Sequence, residues 1–269
     1  MAIGTEQDMT VHATATRAQW DAARADLLER EKELTRLGDE LARDRRELPW
    51  VAVKKRYTLE TADGPKTLAD LFDGRSQLLI YHFMFGSSYE QACPTNSSIA
   101  DAVNGLLPHL QARDVTLILV SGAPVEKLIS YRQRMGWDLN WASSYGSDFD
   151  LELGFSSTED QTRAWVESPQ SAGLPAIAHR NARASGTDLV GYLTEGFGFN
   201  AFALVGETVY QTYSTTGRGV EFLMTYYGVL DRAPMGRNEG EAFQMWIQRR
   251  DEYSSEQGPG ADHAGYSVQ

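Results

Sequence analysis

Leu78-Leu79-Ile80-Tyr81-His82-Phe83-Met84-Phe85-Gly86, followed at once by Ser87-Ser88-Tyr89-Glu90-Gln91-Ala92-Cys93-Pro94-Thr95-Asn96-Ser97, decides how this chain is read. An apolar run of strand length, a polar loop, and the only cysteine of the sequence before a proline describe a buried strand that delivers a thiol to the start of a helix. Pro94 suits the first helical position, where its missing N–H costs nothing. Cys93 then sits at the positive end of the helix dipole, which favours thiolate over thiol. Ile99, Val103, Leu106, Leu107 and Leu110 form one apolar stripe, so the spacing predicts a helix reaching residue 110.

Downstream, residues 114–121 carry Val115, Leu117, Ile118, Leu119 and Val120, a second buried strand, and Pro124 opens a helix through Val125, Leu128, Ile129 and Met135. Strand, helix, strand, helix in this order implies parallel strands joined by right-handed crossovers, with the two strands adjacent at the sheet centre. A third, shorter strand is predicted over 140–143. Residues 51–59 read as a strand, 61–66 as a turn and 68–72 as a short helix. Residues 200–205 and 209–213 read as a hairpin around Gly206-Glu207-Thr208, followed by helices over 219–230 and 241–253. Between 154 and 192 the pattern breaks into Ser, Gly, Pro and isolated aromatics, an irregular insertion of the kind used as a lid or binding loop.

Upstream, residues 15–47 form one predicted helix in which Trp20, Leu27, Leu34, Leu41 and Leu48 recur every seven residues, while Ala23 and Leu37 share the intervening phase with Arg30 and Asp44. A half-apolar seam suits a helix lying along its own domain, a free coiled coil, or a homodimer contact. The expected organisation is a helical extension over 1–48, one domain over 49–253, and a flexible polar tail over 254–269.

The 269 residues, 42% apolar, suffice for one well-buried domain. With 25 basic and 37 acidic residues, the net charge of −12 argues against nucleic-acid and anionic-membrane partners. One cysteine excludes a disulfide framework and suits a reducing cytoplasm. The start, Met1-Ala2-Ile3-Gly4-Thr5-Glu6-Gln7-Asp8, has neither a basic nor an apolar targeting region, so the expectation is a cytoplasmic protein.

His82-Phe83-Met84-Phe85-Gly86, Cys93-Pro94, Arg134-Met135-Gly136-Trp137 and Ser143-Ser144-Tyr145-Gly146-Ser147-Asp148-Phe149, continued by Gln211-Thr212-Tyr213-Ser214-Thr215, Leu230-Asp231-Arg232-Ala233-Pro234 and Arg249-Arg250-Asp251-Glu252-Tyr253, resemble the DUF899 family of thioredoxin-like proteins. The resemblance implies an α/β thioredoxin-like fold, a central mixed sheet flanked by helices, and a dithiol–disulfide oxidoreductase activity. It also implies Cys-Pro-Ser-Cys where this chain has Cys93-Pro94-Thr95-Asn96, and a proline where Phe197 stands. Asn96 replaces the resolving thiol, so an intramolecular disulfide is impossible here.

Cys93 and His82 are the candidate catalytic pair, since the histidine strand leads directly into the cysteine loop. Phe85, Tyr89, Asn96 and His179 are candidate substrate contacts, and His179 lies in the segment able to fold over the site. Cys93, His82 and His179 together are the candidate ligands for copper or another transition metal. Asp148, Asp150 and Glu195 read as helix caps or solvated surface. No phosphate-binding, dinucleotide or zinc-protease motif occurs. The leading expectation is an oxidoreductase-like enzyme that has lost dithiol exchange and acts on a small organic substrate in an apolar pocket beside Cys93 and His82, metal-assisted in one variant. The alternatives are a single-cysteine thiol peroxidase or reductase resolved by an external thiol, and a non-catalytic binding or assembly protein. Cys93 is expected to be reachable by solvent.

Overall fold

A computed structural model describes residues 13–240 and 242–253; the expected polar start and flexible tail fall outside the described residues. The chain divides into two units, Met1–Pro49 with Ser254–Gln269, and Trp50–Tyr253. In the first, α1 (Arg17–Glu47) opens on a reciprocal cap: the Thr16 hydroxyl accepts from Gln19 N at 3.3 Å and Thr16 N donates to Gln19 Oε1 at 2.9 Å. Arg45 and Arg46 sit at the negative end of the helix dipole, and Pro49 disfavours helical backbone at Leu48, where α1 stops. No residue of α1 is buried.

The second unit is built on eight strands: β1 (Val51–Ala52), β2 (Thr58–Thr61), β3 (Gly64–Thr67), β4 (Gln77–His82), β5 (Val115–Ser121), β6 (Asn140–Ser143), β7 (Gly198–Val205) and β8 (Thr208–Thr216). Their order is β1-β8-β7-β4-β5-β6-β2-β3. β4 and β5 pair in parallel at the centre, Ile80 opposite Ile118, as the apolar runs predict. β6 adds in parallel to β5, while β7 runs antiparallel to β4 and forms the expected hairpin with β8. The crossover between β4 and β5, with the β7–β8 hairpin on the far side of β4, is the thioredoxin arrangement. The single strand expected over 51–59 is instead β1, at one edge of the sheet, and β2, next to the β3 edge on the far side, separated by the exposed Lys54, Lys55 and Arg56.

α2 (Pro94–Asn104) starts where the proline places it, but it stops at Gly105, and a separate α3 (Leu107–Gln111) follows. Pro108 cannot donate back to the Asn104 carbonyl, and its ring crowds that turn, so the single stripe to residue 110 is broken. α4 (Val125–Met135) ends on Gly136 at φ +61°, a left-handed cap that glycine adopts without strain. A short α5 (Phe149–Glu152) follows β6.

The insertion expected to be irregular over 154–192 is largely helical: α6 (Glu159–Val166), a 3₁₀ turn (Pro169–Gly173), α7 (Ala176–Ala184) and α8 (Leu189–Leu193). Each is too short to show an apolar period, and capping supplies the missing signal. Thr158 and Gln161 cap α6 reciprocally, and Asp188 accepts from Gly191 N at 2.6 Å ahead of α8. A 3₁₀ stretch (Gly217–Leu223) leads into α9 (Thr225–Leu230). Of the helix expected over 241–253, the described residues 242–253 form turns and one 3₁₀ turn at Arg250–Glu252.

Alternation along β4 divides the core. Leu78 and Ile80 face Ile118, Val120, Phe149 and Phe202 on one side of the sheet. Tyr81 faces Leu117, Leu119, Ile99, Val103 and Leu128 on the other, together with Cys93. Among the described residues no helix is long and apolar enough to cross a membrane.

Candidate functional site around Cys93

Cys93 is the N-cap of α2, its N–H donating to Met84 O at 3.2 Å and its carbonyl accepting from Ser97 N at 2.9 Å and Ser97 Oγ at 2.8 Å. The main chain of the loop is therefore held to the end of β4 and to the first turn of α2. Three polar groups surround the sulfur: the Tyr192 hydroxyl at 3.2 Å, Asn96 Nδ2 at 3.3 Å and Asn181 Nδ2 at 3.6 Å.

Each amide is oriented by what its oxygen accepts. Asn96 Oδ1 takes hydrogen bonds from Tyr81 Oη at 2.9 Å and Met84 N at 3.1 Å, which turns its NH₂ towards Cys93. Asn181 Oδ1 takes one from Arg180 Nη1 at 2.8 Å, leaving Nδ2 for Cys93 and for Thr95 Oγ1 at 3.1 Å. Tyr192 stacks on Tyr89 with centroids 5.5 Å apart, and the Tyr89 hydroxyl donates to Tyr192 O. Burial first, and negative charge on Cys93 second, push the Tyr192 hydroxyl well above the ordinary phenol range, so it keeps its proton and donates it to the sulfur.

The sulfur is covered, contrary to the expectation of a solvent-reachable thiol: Cys93 is 0% exposed. The cover is the insertion, which brings Asn181 on α7 and Tyr192 on α8 against the cysteine. It is fastened by Glu90 N and Gln91 N, which donate to Ser185 O at 2.9 and 3.2 Å, and by the buried Arg249. Its Nε and Nη2 reach Ala92 O at 3.0 and 2.6 Å, Nη2 also reaches Ala184 O at 2.8 Å, and Nη1 pairs with Glu252 at 2.7 Å.

His82 does not join Cys93. One residue beyond Tyr81, its ring points to the opposite face of the sheet, with Nδ1 2.7 Å from Asp150 Oδ1, Nε2 3.0 Å from Asn200 Nδ2 and the ring stacked 3.9 Å from Phe155. Both ring nitrogens are engaged, and Ser144 Oγ completes the set on Asp150 Oδ2. Asp150, read from sequence as a cap or surface group, is buried. The apolar pocket expected between Cys93 and His82 thus loses its geometry, since the sheet lies between them. His179 is exposed, and the residue of its helix that meets the sulfur is Asn181, two positions on. Among the described residues no group of three or more His, Cys, Asp and Glu side chains is arranged to hold a metal ion. The copper set of Cys93, His82 and His179 is corrected accordingly.

Of the candidate substrate contacts, Asn96 touches the sulfur, Tyr89 supports Tyr192 from behind, and Phe85 packs in the core against Tyr89 and Tyr131. Sequence reasoning missed Tyr81, Asn181 and Tyr192. Tyr81 was available from β4 alternation, because it is the residue next to His82 with the opposite facing. Glu195, read from sequence as a cap or solvated surface group, is half-buried. It accepts from Gly122 N at 3.3 Å, beyond the end of β5, where a Cβ on residue 122 would stand 2.5 Å from its Oε1. Burial, and then the charge on Asp150, push its carboxyl up to about 8.

A sequence profile of the family described as "Bacterial protein of unknown function (DUF899)" matches residues 9–253. No curated protein matches the sequence. Solved structures to which the chain is similar include peroxidoxin BcpB from Mycobacterium tuberculosis, with 11% identity over 66% of this chain and 94% of that one at a TM-score of 0.41. A PrxQ mutant from Xylella fastidiosa has 14% identity over 64% and 88% at 0.35, and a yeast mitochondrial 1-Cys peroxiredoxin 14% over 66% and 74% at 0.37.

Proposed function

This chain belongs to the DUF899 family, and we propose that it is a single-cysteine thiol redox enzyme whose Cys93 is oxidised by a small hydroperoxide and returned by external thiol. The observation that carries this reading is the convergence of the Tyr192 hydroxyl and two oriented amides on one sulfur at a helix N-terminus. Donors aimed at one sulfur can hold charge that develops on it during reaction, and an inert packing cysteine needs none of them.

In the reaction the thiolate attacks one peroxide oxygen, the O–O bond breaks, Cys93 becomes a sulfenic acid and the other oxygen leaves as alcohol or water after taking up a proton. An external thiol then condenses with the sulfenic acid, releasing water and leaving a mixed disulfide, and a second thiol releases Cys93 as thiolate. Asn96 holds no thiol, so no internal disulfide competes. With Cys93 0% exposed, the cover of α7 and α8 must open for both substrates. The complete burial of Cys93 favours the competing, non-catalytic reading, and one experiment separates them. Hydrogen peroxide is added to the reduced protein, the sulfenic acid is trapped with dimedone, and intact mass is read over time. Stoichiometric trapping, lost in Cys93→Ser, supports the enzyme; no adduct under conditions that keep the fold supports the non-catalytic protein.

A further inference from the structure

We propose that Arg180 is the recognition cation of the Cys93 site and that the thiols and disulfides exchanging with Cys93 carry a carboxylate. This rests on the thiol-exchange half of the reading above. The chain as a whole repels anions at a net charge of −12, so an anionic sulfur reagent needs a local reversal of sign to approach. Arg180 supplies it beside the cysteine, because the charge of the neighbouring Arg249 is already paired with Glu252.

The two arginines are differently engaged. Arg249 is buried and spent on Ala92 O, Ala184 O and Glu252, so its role is to fasten the cover. Arg180 is only half-buried, and the one hydrogen bond it makes among the described residues goes to a neutral acceptor, Asn181 Oδ1. A guanidinium has five N–H donors in a planar fork that matches a carboxylate with two parallel bonds, and most of this fork remains for a ligand. Arg180 also feels the sulfur: negative charge on Cys93 opposes the effect of burial on the arginine. The single bond it makes orients the amide that meets Cys93 Sγ. A carboxylate docked on Arg180 is therefore one side chain removed from the sulfur, and its pull acts on α7, the helix that must move.

The exchange step balances without a further reactant. The Cys93 thiolate attacks one sulfur of a symmetrical disulfide, the S–S bond breaks, one half remains as the mixed disulfide and the other leaves as thiolate.

The test uses the full chain, reduced, with three disulfides of similar size: dithiodipropionate with two carboxylates, dithiodiethanol with no charge, and cystamine with two ammonium groups. The rate of mixed-disulfide formation on Cys93 is followed by intact mass. We expect dithiodipropionate to be preferred over dithiodiethanol about tenfold, the preference to fall about tenfold in Arg180→Gln, which keeps a donor for Asn181, and to recover in part in Arg180→Lys. Added salt should narrow the preference in the wild type. Equal rates for the three reagents, a preference for cystamine, an Arg180→Gln effect of the same size on every reagent, or no reaction with any of them would overturn the proposal. Dimedone trapping of the peroxide product is read separately, so failure of the peroxidase reading and failure of the recognition role are distinguishable.

Discussion

The hydroxyl of Tyr192, on α8, stands 3.2 Å from the sulfur of Cys93, at the start of α2 ninety-nine residues earlier. The contact closes the shell begun by Asn96 and Asn181, and it is the one that can be removed with least disturbance. Tyr192→Phe keeps the ring stacked on Tyr89 and keeps the carbonyl that receives the Tyr89 hydroxyl. A hydrogen bond to a charged group is worth about 1.5–3 kcal/mol. Sulfenic acid formation should slow roughly tenfold or more, with a thermal midpoint close to the wild type. An unchanged rate would mean that the hydroxyl does not support the reacting anion.

Glu195 gives a pH signature of its own. Its carboxyl is raised to about 8 in the fold against 4.5 for an ordinary glutamate, chiefly by burial and then by Asp150. Between those two values the folded chain keeps a proton that the unfolded chain has released, so stability falls as pH rises through the window and is level outside it. Glu195→Gln should remove the fall. Allowing for the partial exposure of the side chain, the difference between the variants at pH 5 and pH 8.5 should be about 2–4 kcal/mol, read by urea unfolding. Parallel pH profiles for the two proteins would refute the assignment.

On the other face of β4, the stack of His82 on Phe155 depends on a missing side chain. A Cβ at Gly198 would lie 1.9 Å from Phe155 Cε1, so Gly198→Ala must displace the ring that covers His82. Overpacking of this kind costs about 1–3 kcal/mol. The urea midpoint should fall accordingly, while the rate of Cys93 modification in the folded state should stay near the wild type, because the two clusters are on opposite sides of the sheet. A slowed Cys93 with full stability would show that the faces communicate.

Strongly patterned elements are legible in the sequence itself: β4, β5, the proline start of α2, and the placing of Cys93 at its N-terminus all follow from apolar runs and from Pro94. The shell around the sulfur is not. Asn181 and Tyr192 come from helices of nine and five residues, whose existence rests on tertiary packing and whose sequences carry no period. His82 misleads for a different reason. Its strand does lead into the cysteine loop, but side chains alternate, so the neighbour that reaches the site is Tyr81 through Asn96.

Asn96 itself permits the most direct test of why this chain has one thiol. Read from sequence it marks a lost resolving group; in the fold its amide bridges Tyr81, Met84 and the sulfur. Because Nδ2 is already 3.3 Å from Cys93 Sγ, a thiol introduced by Asn96→Cys is within reach of a disulfide in the first turn of α2. The substitution leaves the Tyr81 hydroxyl and the Met84 N–H without their buried acceptor, which should cost about 1–3 kcal/mol for each. Asn96→Cys is therefore expected to be less stable when reduced, to lose two titratable thiols on oxidation with hydrogen peroxide, and to catalyse insulin reduction by dithiothreitol. The wild type should show no such catalysis. If the oxidised variant retains both thiols, or if the wild type reduces insulin above buffer and Cys93→Ser abolishes it, position 96 does not control the choice between external and internal resolution.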